Sequence, residues 1–81
     1  MEVIKSFTGV WNCPVIFDGT IKVKETISII HCDELYIVMR VMATDDDDAN
    51  SIVTKDIKSY AEALGLYEKW IEELMWHMNN T

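Results

Sequence analysis

The chain has 81 residues, 49% of them hydrophobic, 26% charged and 10% aromatic, which suits one small globular domain and excludes a two-domain protein. Fourteen Asp and Glu against seven Lys and Arg give a formal charge of −7, so the summed field repels phosphate and anionic lipid and argues against direct nucleic-acid binding. No stretch approaches the ~20 apolar residues of a membrane span, and Met1-Glu2-Val3-Ile4-Lys5 lacks the layout of a signal peptide, so a soluble, cytoplasmic protein is expected.

Strand 1 is the least regular element, because Thr8-Gly9 and Asn12-Cys13-Pro14 interrupt it and Pro14 lacks a ladder donor. It is expected at a sheet edge with a bulge or break. Asp18-Gly19 reads as a tight hairpin turn that pairs Phe17 with Thr20 and hence Cys13 with Lys24. Strand 2 alternates: Ile21, Val23, Ile27 and Ile29 share one face, and Lys22, Lys24, Thr26 and Ser28 the other. After the polar break His31-Cys32-Asp33-Glu34, Leu35, Ile37, Met39 and Val41 share a face of strand 3 and complete a three-stranded meander. In that register Cys13 and Cys32 lie roughly 26 Å apart, so both are read as free thiols.

Residues 44–53, with the run Asp45-Asp46-Asp47-Asp48, read as an acidic loop. From Thr54, a candidate N-cap, the apolar period changes to 3.6, and Ile57, Tyr60, Leu64, Tyr67, Ile71 and Leu74 recur at helical spacing. Gly65 interrupts this pattern without changing its phase, so one long helix over 54–79 is expected, fraying at Asn79-Asn80-Thr81. The fold class is therefore α+β: a three-stranded antiparallel β-meander over 1–43, an acidic loop over 44–53, and a C-terminal helix packed on the sheet, all within one domain spanning 1–81.

Four consecutive aspartates lack the spacers and turn glycine of a calcium loop, and zinc-type spacing is absent, so no metal and no cofactor are expected. Adjacent His31 and Cys32 on a strand end point in opposite directions, which argues against a nucleophilic pair. The helix is more informative. At 100° per residue, Glu62, Glu68, Glu72 and Glu73 spread over the half opposite the apolar arc, and Trp76 falls among them. Such a Trp either packs against a loop or strand, or stands exposed as an interface anchor. Residues 1–40 carry a net −1 and residues 41–81 a net −6, so the imbalance sits on the Asp loop and the helix.

In size, acidity and layout, a β-meander with a flanking helix and carboxylates in place of phosphates, the whole chain resembles the small phage-encoded inhibitors grouped as anti-CRISPR and DNA-mimic proteins. The resemblance lies in this profile and in no shared motif. It implies a non-enzymatic inhibitor in the cytoplasm of an infected or lysogenic bacterial host, bound to a basic partner such as a CRISPR-associated nuclease or surveillance complex. The contact residues nominated from this sequence are Asp45, Asp46, Asp47, Asp48, Glu62, Glu72 and Glu73 for charge and Trp76 as apolar anchor. An antitoxin or immunity protein against a basic toxin, and a small homodimeric adaptor, are the alternatives; a metal-dependent enzyme ranks below both.

Overall fold

The computed structural model describes residues 1–15, 19–44 and 51–80. It comprises β1 (Glu2–Val15), β2 (Gly19–Cys32), β3 (Leu35–Thr44), β4 (Ser51–Ile57) and α1 (Tyr60–Asn79). The architecture is α+β, with one antiparallel sheet in the order β1-β2-β3-β4 and α1 across one face.

The meander has four strands, not three. Residues 51–57, expected as the end of a loop and the first turn of a helix, pair instead with β3, from Tyr36 opposite Ile57 to Met42 opposite Ser51. Ile52, Val53, Thr54 and Ile57 are β-branched and favour the extended chain. Ile57 satisfies both periods, since it faces the helix side of the sheet and lies one step before the helical series. Helix α1 accordingly starts later than Thr54. Ser59, extended at φ −110° and ψ 130°, is the N-cap, and its hydroxyl accepts from the Glu62 N–H. Ser59-Tyr60-Ala61-Glu62 has the spacing of a capping box. At the far end Asn80 caps rather than frays, its side-chain amide donating to the Trp76 carbonyl at 2.7 Å.

β1 is an edge strand, but it runs unbroken through Gly9 and Pro14, and its register shift falls between Val3 and Lys5. Pro14 is tolerated because the edge position asks nothing of its nitrogen. The first hairpin also differs from the expected register. Thr20 pairs with Pro14 and Cys13 with Ile21, which leaves three residues, 16–18, between the paired Val15 and Gly19; Phe17 lies outside the described residues. Gly19 has φ 86°, a conformation that favours glycine. The shift is by three residues, and an odd shift exchanges the faces of β1. It turns Phe7 and Trp11 toward the helix where the expected register would have buried Thr8 and Asn12, and the aromatic pair has far more apolar area to remove from water. Cys13 and Cys32 are free, and their positions lie eleven residue steps apart along β2, roughly 36 Å.

The second turn has a similar consequence. Asp33, at φ 57°, and Glu34 connect Cys32 directly to Leu35, so Leu35, Ile37, Met39 and Val41 share the face turned away from α1. Tyr36, Val38 and Arg40 point toward the helix. The core is formed by Ile27, Ile29 and Val38 beneath Ala63, Tyr67, Trp70 and Leu74. Met75 and Met78, which continue the helical spacing of Ile71 and Leu74, are 46% and 38% exposed at the C-terminal end of α1. There Gly9 permits close approach: a Cβ on it would lie 2.6 Å from Met78 Sδ and 3.2 Å from Leu74 Cδ2.

Gly9→Val should therefore destabilise the fold by about 1–3 kcal/mol through overpacking, read from the urea midpoint. Added Met78→Ala should recover part of that loss, whereas full wild-type stability in Gly9→Val alone would contradict the close approach. Tyr67 supplies a pH test, since burial raises its phenol pKa above the ordinary 10.0. Below pH 10 folded and unfolded chains both hold the proton; above it the unfolded chain ionises first, so stability should fall as pH rises. Denaturant titrations at rising alkaline pH should show a shallower fall in Tyr67→Phe.

Candidate functional site

The alternation that buries Val23 and Ile27 also buries the residue between them, Glu25, which has no solvent exposure. A carboxylate there requires partners, and three side chains supply a connected network. Trp11 Nε1 donates to Glu25 Oε2 at 2.5 Å, and Arg40 Nε donates to Glu25 Oε1 at 2.7 Å. Arg40 Nη1 then reaches across to α1 and donates to Glu73 Oε2 at 2.7 Å. The guanidinium also lies 6.0 Å from the centroid of the Trp70 ring. Burial acts to lower the Arg40 pKa, but hydrogen bonds to Glu73 and Glu25, with their charges, outweigh it and raise it further. Exposure increases outward along this chain: 0% for the Glu25 side chain, 13% for Arg40 and 46% for Glu73.

The outer end of the network opens onto the surface of α1. Lys69, Glu72, Glu73, Trp76 and His77 line an open groove of about 430 Å³. His77 stacks on Trp11 from β1, with ring centroids 4.4 Å apart and planes 20° apart. Trp76 meets the same imidazole edge-on at 5.2 Å and 84°. The His77 ring thus ties the helix end to β1, while Trp76, 61% exposed, presents most of its indole to solvent.

The nominated residues separate into three groups. Glu72, Glu73 and Trp76 converge on the groove. Glu73 is engaged by Arg40, and Glu72 makes no ion pair among the described residues. Glu62 lies in the first turn of α1, ten residues and about 15 Å along the axis from Glu72, where it favours the helix dipole. Asp45, Asp46, Asp47 and Asp48 lie outside the described residues. Glu25, Arg40, Trp11 and His77 escaped the sequence reading. Glu25 was recoverable, being an acid in phase with Val23 and Ile27 on an alternating strand; Arg40 is likewise in phase with Val38. The stacking of Trp11 on His77 leaves no local signal, because it depends on the hairpin register.

An indole face beside carboxylates suits a cationic side chain, which gains both a π surface and a charge-assisted hydrogen bond. At the opposite end of the sheet His31 stacks on Tyr36 at 4.6 Å, on the helix side, while Cys32 follows on the other face. Among the described residues no three His, Cys, Asp or Glu side chains group as a metal site would require, and no helix is long and apolar enough to cross a membrane. No protein-family model matches the chain, and no curated protein or solved structure is significantly similar to it.

The network predicts an asymmetric response to truncation. Glu25→Ala leaves Arg40 in the interior without its inner partner and should cost about 3–5 kcal/mol. Glu73→Ala removes a half-exposed partner and should cost less than about 1 kcal/mol. Chemical denaturation of the two variants tests this order; equal costs would mean that the buried pair between β2 and β3 is no harder to break than the half-exposed contact that links β3 to the helix.

Proposed function

We propose that the chain is a non-enzymatic protein inhibitor of the anti-CRISPR, DNA-mimic kind, phage-derived and active in the cytoplasm of an infected or lysogenic bacterium. Its partner is a basic nucleic-acid-binding surface of a nuclease or surveillance complex. The observation that carries this reading is Trp76, an indole 61% exposed on a helix face where Glu72 and Glu73 flank it. Large aromatics at solvent-exposed positions are disproportionately the anchors of interfaces.

Inhibition is competitive in this scheme. Lys and Arg side chains that ordinarily hold phosphates pair with Glu72, with the outer oxygen of Glu73 and, at the start of the helix, with Glu62. The Asp45–Asp48 run, outside the described residues, enters this scheme only through its charge. Trp76 fills an apolar recess between the basic side chains. Fixed carboxylates on a rigid helix lose little entropy on binding, and the net −7 speeds encounter with a positive groove. The Arg40 contact favours this by holding Glu73 in one orientation.

The test is DNA cleavage by a panel of purified CRISPR-associated nucleases and surveillance complexes, with and without the protein. At least one should be inhibited near stoichiometric addition, and inhibition should weaken as salt rises. Trp76→Ala should reduce affinity by roughly 30-fold or more, the effect of losing a hot spot worth about 2 kcal/mol, with unchanged thermal stability. Salt-independent inhibition would remove the mimicry mechanism, and full activity of Trp76→Ala would remove the anchor.

A further inference from the structure

The face of the sheet turned away from α1 has nothing over it among the described residues. Its β3 strip is apolar, with Ile37, Met39 and Val41 in a row, and on β4 Ile52, 61% exposed, lies beside Val41, followed by Thr54 and Asp56. Its β1 and β2 side is hydroxylated, but those hydroxyls already pair with one another: Ser6 with Ser28 at 3.2 Å and Thr8 with Thr26 at 3.1 Å. Self-paired hydroxyls lower the cost of removing this half from water. Among the described residues the acids of α1 lie on the other side of the molecule, and the charges on the strands of this face are Lys22, Lys24 and Asp56.

We propose that this face packs against the same face of a second copy of the chain, in a two-fold dimer whose axis runs across the strands. The longer dimensions of the molecule, 46 and 25 Å, bound the face at roughly a thousand Å², against about 800 Å² per partner in a standard interface. The charges on the described residues select the axis. Lys22 and Lys24 project from β2 near the first hairpin, whereas Asp33 and Glu34 form the turn at the opposite end of the same strand and Asp56 lies at that end of β4. A two-fold axis across the strands exchanges the ends and lays the lysines of each copy over the acidic turn of the other. An axis along the strands would set lysine over lysine. With the sheets about 10 Å apart and each helix a further layer out, the acidic faces of the two α1 helices lie more than about two Debye lengths apart. Both Trp76 grooves remain open to other partners.

Light scattering across a concentration series tests the dimer. The wild type should approach twice the 9.4 kDa chain mass at high concentration. Met39→Lys should weaken association tenfold or more with an unchanged circular dichroism spectrum. Ile52→Lys, at an exposed position, decides the matter if Met39→Lys fails to fold. Lys24→Glu should weaken the dimer and Lys24→Glu with Glu34→Lys should restore it, because a two-fold axis presents each reversed charge to the other. Trp76→Ala should leave the dimer intact. A single-chain mass throughout, a dimer that survives both Met39→Lys and Ile52→Lys, or one indifferent to both charge-reversal variants would overturn the proposal; so would a dimer lost in Trp76→Ala.

Discussion

The placement of one carboxylate in an aliphatic layer constrains the rest of this molecule. Glu25 sits with no exposure between Val23 and Ile27, on the face that α1 covers. An unpaired charge there would be untenable, so β1 must deliver Trp11 and β3 must deliver Arg40 to the same spot. Those requirements agree with the two hairpin registers. Gly9, directly opposite Glu25 on β1, offers no side chain to compete for the space, and the C-terminal end of α1 settles over it. A buried ion pair adds little net stability compared with apolar packing, but an incorrect register would strand it, and that penalty is specific to one arrangement.

The same network divides the acidic surface into structural and available charge. Glu73 belongs partly to the fold, as the outer contact of Arg40, while Glu72 one residue earlier is committed to nothing among the described residues. His77 stacks on Trp11 and so anchors the groove lining to β1, while Trp76, edge-on to the same imidazole, faces outward. A four-stranded sheet with one helix buries a single core layer, which leaves two unlike surfaces: an acidic, aromatic helix face and a nearly neutral sheet face. In the functions proposed above, the first would meet a basic partner and the second its own copy, and the two surfaces lie on opposite sides of the sheet.

Much of this was legible from the residues. The alternation of β2, the single helix continuing through Gly65 and the convergence of Glu72, Glu73 and Trp76 follow from local periodicity, and the edge position of β1 from the missing donor of Pro14. The failures have a common cause. The sequence of β4 suits a loop followed by helix because Ile57 fits both a period of two and a period of 3.6, and only pairing with β3 separates them. The faces of β1 and β3 depend on turn registers, and a shift by an odd number of residues exchanges every side chain. Angle around the helix groups Glu62 with Glu72, but their separation along the axis places them in different regions of the surface.

The amino-acid order by itself determined the segments, their periods and the concentration of negative charge in the second half, because these are properties of neighbours along the chain. It also determined that Trp76 leaves the apolar arc, which is helical geometry alone. Tertiary structure decided which side of each strand meets the helix, which acid is buried and which aromatic is exposed. Those outcomes are set between strands, where the competition is to bury Phe7 and Trp11, satisfy Glu25 and seat α1 against Gly9 in a single register.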